Sequence, residues 1–281
     1  MDRLGLGSTP VPPGDIFITG GSGRIGTCLR ERLRPAGYTV RFTDIVEPAD
    51  GDTAGFIKTD LSDQDAMAEA MQGARAVIHL AGHPRDIDWP TMVERNYTGA
   101  YNAVQAARRA GVKTIIYASS NQAFGLHPAD TVLCDSLAPR PAGRYGISKV
   151  FGEALLRAEA EAFGLIAFAW RICAFKPEPT TARDLRLWHS WDDAARLVDA
   201  CLRWTEPGFN VIWGVSGNTR LAIDDPVARR VGYAPKDNAE DFRAQLEAEG
   251  VDTLRISEWP FLGGDKAAEW MAQGAAERGS R

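Results

Sequence analysis

The run Ile16-Phe-Ile-Thr19 passes without interruption into Gly20-Gly-Ser-Gly23-Arg-Ile-Gly26, and apolar residues then recur at Ile25, Leu29 and Leu33. A β-rich run, a glycine turn and a four-residue apolar spacing read as strand, tight turn and amphipathic helix. Glycine at 20, 23 and 26 permits a sharp turn, close approach of the backbone to a bound group, and tight packing of helix on strand. The helix N-terminus adds unpaired N–H groups that favour an anion such as a pyrophosphate. Taken alone, the same pattern also describes a glycine-rich turn that holds nothing.

The rhythm set by this unit continues down the chain. β-rich runs at 38–43, 55–58, 76–81, 113–119 and 165–170 alternate with helical spacing at 66–72, 92–110 and 145–163. Alternation of this kind predicts an α/β fold, a Rossmann-type doubly wound parallel sheet with helices on both faces. Residues 1–14, with three prolines and three glycines, read as a disordered tail. The dinucleotide-binding domain is expected over 15–170, with 190–217 returning to it as a helix opened by Ser190 and a strand at 211–215. Residues 171–189 and 218–281 then form a small C-terminal substrate-binding cap.

Composition removes several function classes. The 281 residues are 44% hydrophobic and 25% charged, with 32 Lys+Arg against 37 Asp+Glu for a net charge of −5. With no basic run, the chain lacks the footprint that nucleic acid requires. No apolar stretch approaches the ~18 residues of a membrane span, and the start lacks a signal-peptide core, so a cytoplasmic location is expected. Cys28, Cys134, Cys173 and Cys201 are scattered and read as reduced thiols. His79 and His83 straddle the end of a strand, so no metal site is expected.

Three further positions add chemistry to the glycine turn. Asp44 ends the second strand, where a carboxylate accepts hydrogen bonds from an adenosine ribose and repels a 2′-phosphate, which favours NAD(H). Nearby Arg41 keeps NADP(H) open, and an ordinary surface aspartate is the plain alternative. Tyr145-Gly-Ile-Ser-Lys149 puts a phenol and an ammonium one helical turn apart. A tyrosine needs such a cation to act as a proton carrier near neutrality, although YxxxK alone usually marks a solvated helix face. Ser120 and Asn121 follow the strand at 113–119, where a hydroxyl can hold a substrate oxygen.

Glycine turn, strand-end aspartate, serine and YxxxK in this order resemble the extended short-chain dehydrogenase/reductase family, also called the NAD-dependent epimerase/dehydratase family. The resemblance implies Ser120, Tyr145 and Lys149 as catalytic residues. It implies cofactor contacts from Gly20, Gly23, Arg24, Ile25, Gly26, Asp44, Asp60, Leu61, Leu80, Ala81, Gly82, Asn96, Tyr145 and Lys149. Asn96 is equally explained by a helix hydrogen bond. Asn121-Gln122 stands where the family's dehydratases carry an acidic pair, so simple hydride transfer is expected.

Within the family, Arg140-Pro-x-Gly-x-Tyr145, Phe151-Gly-Glu153, Pro177-Glu-Pro179, Ser190-x-Asp-Asp193 and Val211-Ile-Trp-Gly214 resemble the uronate dehydrogenases. That likeness implies that Arg183 grips a substrate carboxylate, a task suited to a guanidinium fork. It also places Pro84, Ser120, Asn121, Gln122 and Ala174 against the substrate. Gln122 replaces a histidine of that branch, and Pro84 and Ala174 replace hydroxyls. The leading expectation is an NAD(P)-dependent oxidoreductase acting on a small polar cyclic alcohol or carbonyl, with uronates first.

A second reading is a ketoreductase of secondary metabolism acting on a nucleoside-like keto ring, such as a coformycin-type precursor; a third is a non-catalytic NAD-sensing regulator. A small-molecule substrate and a homo-oligomer, a dimer among the options, complete the expectation. Trp188 and Trp191, near Arg183 and Arg186, read either as a pocket wall or as cap packing, with a positive patch expected at the two arginines. Arg220, Arg229 and Arg230 read as a solvated face.

Overall fold

The computed structural model describes residues 4, 5 and 14–279. The first half runs β1 (Asp15–Thr19), α1 (Arg24–Leu33), β2 (Val40–Asp44), β3 (Phe56–Lys58), α2 (Gln64–Ala70), β4 (Ala74–His79), α3 (Trp89–Met92), α4 (Gly99–Arg109) and β5 (Thr114–Ser120). It continues through β6 (Leu133–Cys134), α5 (Gly143–Phe163), β7 (Ile166–Ile172), β8 (Ala174–Phe175), α6 (Asp184–Leu187), β9 (Trp188–His189), α7 (Trp191–Arg203) and β10 (Gly208–Gly214). The remainder is β11 (Ile223–Asp224), α8 (Pro226–Val231), α9 (Arg243–Ala248) and α10 (Asp265–Gly279).

Seven strands form one sheet in the order β10-β7-β5-β4-β1-β2-β3, every pair parallel. The central strands are covered on both faces, which explains why every residue of β5 is buried. Helices α1 and α7 pack one face through Leu29, Leu33, Leu197 and Val198. On the other face α2, α4 and α5 contribute Met67, Val104 and Leu156. The chain builds outward from β1 to β3, then crosses back to β4 and builds the other way. This reversal opens a crevice between β1 and β4 at their carboxyl ends, where doubly wound sheets bind ligands.

Register aligns the groups that face this crevice. Thr19 pairs with His79, His79 with Tyr117, and Ser120 with Ile172. Two small sheets, β6 with β11 and β8 with β9, lie outside the main one. Phe124, Leu133, Leu187, Trp213 and Leu262 form a separate apolar cluster, and Leu185, Trp188, Ala239 and Leu246 form another.

Most of the expected tail at 1–14 lies outside the described residues, but the expectation fails at Leu4. This residue is 3% exposed within the main core, and its carbonyl accepts from Arg196 Nε at 3.0 Å and Lys236 Nζ at 3.4 Å. One apolar side chain and one carbonyl suffice to dock it. The helix expected at 92–110 begins instead at Trp89 and widens into a π-turn over Val93–Thr98. Such turns are frequent at functional sites, and this one carries Asn96. Ser190 opens α7 as expected, its hydroxyl accepting from Asp193 N at 2.9 Å.

Candidate active site

At the glycine turn, every missing side chain has a use. Gly20 has φ +71°, and a Cβ there would stand 2.7 Å from Ala81 N. A Cβ on Gly26 would lie 2.5 Å from Gly21 Cα, so α1 crosses directly on the turn. Gly23 caps α1 with no side-chain acceptor, and the first turn holds Arg24 but no acid. The helix end is therefore free and electropositive, as a pyrophosphate requires. Asp44 Oδ2 accepts from Ser22 N at 3.1 Å, and Oδ1 from Ile45 N at 2.8 Å and Val46 N at 3.4 Å, which fixes its carboxylate beside the turn. A carboxylate accepts about four hydrogen bonds, so one site remains for a ribose hydroxyl. These features fit a dinucleotide.

Arg41 does not compete for that place. Its fork is spent on Asp15 Oδ2 at 2.8 Å and on the Ala70 and Gln72 carbonyls at 2.6 and 2.7 Å.

A cavity of about 470 Å³ runs from Arg24 and Ile25 past Leu80 and Gly82 to Ser120, Tyr145 and Lys149. Ser120 ends β5, and its Oγ accepts from Gln122 N at 3.2 Å. Burial pushes the Tyr145 phenol up to about 12, while the Ser120 hydroxyl acts in the opposite direction. Burial also pulls Lys149 down to about 8. The Lys149 ammonium lies 5.4 Å from the Tyr145 ring centroid and 5.0 Å from that of Tyr117. His79 stacks on Tyr117 and shares a 2.7 Å hydrogen bond with Thr19 Oγ1 through Nδ1. Burial first, and the Lys149 charge second, hold His79 down to about 3. Behind the lysine the wall is thus neutral.

Asn96, expected at the cofactor, does not line this cavity. Its Oδ1 accepts from His83 N at 2.7 Å, and its Nδ2 donates to His83 O at 3.0 Å and Ser148 Oγ at 3.1 Å. Ser148 donates to Tyr145 O at 2.7 Å. The π-turn thus ties the loop after β4 to the helix that carries the tyrosine, a positioning role. Asp60 accepts from Ser62 N at 2.8 Å and Arg95 Nη1 at 3.1 Å, which hold its carboxyl below the usual range, the Ser62 amide foremost. Leu61 packs on Gly99, where a Cβ would be 2.8 Å from Leu61 Cδ1. Both lie outside the cavity lining.

Pro84, Asn121, Gln122, Ala174 and Arg183 all line the cavity. The donors of Asn121, Gln122 and Arg183 converge on one loop. Gln122 Nε2 donates to Gly263 O at 2.7 Å, Asn121 Nδ2 to Leu262 O at 3.4 Å, and Arg183 Nε and Nη2 to Leu262 O at 3.1 and 2.8 Å. Glu258 holds the backbone of Ala182 and Arg183. The segment bearing Trp259, Gly263, Asp265 and Lys266, within the expected cap, therefore forms a cavity wall, and sequence reasoning singles out none of these four residues. Its only advance signal was the Gly263-Gly264 pair: Gly264 has φ +70°, and a Cβ there would sit 3.1 Å from Arg183 Nε.

Arg186 lies outside the lining, which corrects the expected two-arginine patch. It is buried and bonds the Ala129 and Arg220 carbonyls. Trp188 packs edge-on against Phe242, and its Nε1 donates to Lys176 O at 2.9 Å, so it belongs to cap packing. Arg220 is half-buried and paired with Glu240, which corrects its reading as a solvated residue.

Comparison with known proteins agrees with this geometry. Residues 16–178 match the model of the NAD dependent epimerase/dehydratase family. A uronate dehydrogenase from Pseudomonas syringae pv. tomato is 34% identical over 244 residues, covering 86% of this chain and 89% of that protein. The crystal structure of uronate dehydrogenase from Agrobacterium tumefaciens superposes with a TM-score of 0.81 at 33% identity, covering 90% of this chain and 96% of that one. A mutant of the Agrobacterium enzyme complexed with NAD gives the same TM-score at 32% identity, covering 90% and 97%. With its glycine turn, strand-end aspartate and serine–tyrosine–lysine group on one crevice, the chain belongs to the NAD dependent epimerase/dehydratase family.

Proposed function

We propose that this chain is an NAD-dependent dehydrogenase that oxidises a ring hydroxyl of a small acidic sugar, a uronate first. The observation that carries the reading is that Ser120, Tyr145, Lys149 and Arg183 line one cavity. NAD, when bound, supplies the nicotinamide that accepts the hydride. Tyr145 as phenolate takes the hydroxyl proton, and Ser120 holds the reacting oxygen. The Lys149 charge stabilises the phenolate, countering the burial that raises the phenol pKa. Arg183 receives the substrate acid, and its bonds to Leu262 O fix the direction of the guanidinium. Asp44 favours NAD, because a 2′-phosphate beside a carboxylate is repelled.

Absorbance of reduced nicotinamide, followed with galacturonate and glucuronate, tests this reading. Turnover of either supports it; no turnover at high substrate by protein that binds NAD overturns it. One observation favours a second substrate class. Pro84 and Ala174 offer no side-chain donor to the cavity, and one of the two Gln122 amide donors is engaged by Gly263. A less hydroxylated ring ketone would suit such walls, and NADH oxidation with a panel of heterocyclic ketones distinguishes the two.

A further inference from the structure

Lys266 is the second residue of α10, close to the positive end of the helix dipole, where a lysine is disfavoured. Its side chain lies in the cavity with its Nζ 5.3 Å from the Tyr145 ring centroid. The ammonium carries three donors. One reaches Pro84 O at 3.0 Å; among the described residues it has no other hydrogen bond and no ion pair. Neighbouring Asp265 turns its Oδ1 to the Lys266 backbone N–H at 2.9 Å.

Arg183 enters the same cavity from the adjoining wall, and its guanidinium spends only Nε and one Nη2 donor on Leu262 O. The other lysine at this end, Lys176, is neutralised by Asp184 at 2.6 Å. Two cations thus face one space with donors to spare. Their mutual repulsion, strengthened by burial, is relieved when an anion lies between them. Burial is the main influence lowering the Lys266 pKa, Arg85 and Arg183 add to it, and Asp265 and Asp86 oppose it. The anchor at Pro84 has its own logic. Pro84 itself has no side-chain donor, yet its carbonyl brings an ammonium to the place.

We propose that Lys266 is a substrate-binding residue that shares the acid group of the substrate with Arg183, so that preference for an acidic over a neutral sugar ring depends on both. The proposal rests on the dehydrogenase reading above for its kinetic arm only.

The experiment compares the full-length wild type with Lys266→Met and Lys266→Arg, using D-glucuronate and D-glucose as substrates at saturating NAD. Wild type is expected to favour glucuronate. In Lys266→Met the glucuronate-to-glucose ratio of kcat/KM should fall by about tenfold or more, mainly through KM, as one charge-assisted hydrogen bond is lost. Lys266→Arg should recover most of the ratio. An unchanged ratio in Lys266→Met, or a fall equal for both sugars, overturns the proposal. Calorimetric titration of glucuronate into the NADH complexes keeps the inference testable without turnover. Weaker binding to Lys266→Met than to wild type supports it even if neither sugar is oxidised and the dehydrogenase reading falls. Equal affinities, or no binding to wild type, overturn it.

Discussion

Glu153 and Arg171 form a two-point ion pair immediately behind the reacting end of the cavity, Arg171 Nε meeting Glu153 Oε1 at 3.1 Å and Nη2 meeting Oε2 at 2.9 Å. Ser119 donates to Glu153 Oε1 at 2.5 Å, so one carboxylate ties β5, α5 and β7 next to Ser120 and one turn beyond Lys149. Both side chains are nearly excluded from solvent. Removing the acid in Glu153→Ala strands a buried guanidinium and should cost about 3–5 kcal/mol. Urea unfolding of wild type and variant measures this; a cost below about 1 kcal/mol would show that the pair holds nothing together.

Tyr145→Phe removes the proposed proton carrier and leaves the ring that lines the cavity. Turnover should fall about 10²–10⁴-fold, with NADH affinity changed by less than about threefold. Nicotinamide absorbance and fluorescence titration read the two quantities separately. Unchanged turnover would refute the acid–base role.

Asp44→Ala should exchange cofactor preference. Hydrogen bonds to a charged acceptor contribute about 1.5–3 kcal/mol, so NAD affinity should drop roughly 10–100-fold while NADP becomes tolerated. Initial rates with each cofactor give the ratio. Retention of full NAD preference would mean that the carboxylate serves only the turn it caps.

His79 and His189 are buried and held down to about 3 by burial, against an ordinary value of 6.5. Neutral histidines in the folded state bind fewer protons than in the unfolded chain over that interval. Stability should therefore fall as the solution is acidified from about pH 6.5 toward 3, by up to about 1.4 kcal/mol per pH unit for each residue. Among the described residues neither ring nitrogen of His189 has a hydrogen-bond partner. His189→Phe should flatten the acid slope by one residue's share, read from urea midpoints between pH 4 and 7. An unaltered slope would mean that His189 is protonated in the folded state.

The sheet was legible because its strands are nearly continuous apolar runs separated by helical spacing, a pattern that survives without tertiary information. The glycine turn, Asp44, Ser120 and the Tyr145–Lys149 pair were legible because each is tied to a strand end or to a single helical turn. Lys266 was not. Nothing local sets it apart, and its approach to Tyr145 depends on a loop fixed by Gln122 and Arg183, residues far away along the chain. Arg186 misled for the same reason in reverse. It neighbours Arg183 in sequence, but the short helix α6 turns it toward the Ala129 and Arg220 carbonyls. The π-turn at Val93–Thr98 escaped because a helix with one widened turn keeps nearly the same apolar spacing.

The match to the family ends at residue 178, whereas the wall that meets Asn121, Gln122 and Arg183 is supplied by residues 258–266. The closing wall and the Ser120–Tyr145–Lys149 group therefore come from separate stretches of chain that meet only in the folded molecule. Under the proposed function, exchanging the closing loop should alter what the cavity admits while Ser120, Tyr145 and Lys149 stay unchanged. The same division makes that loop a compact target for grafting between relatives, with the cofactor half left intact as an internal control.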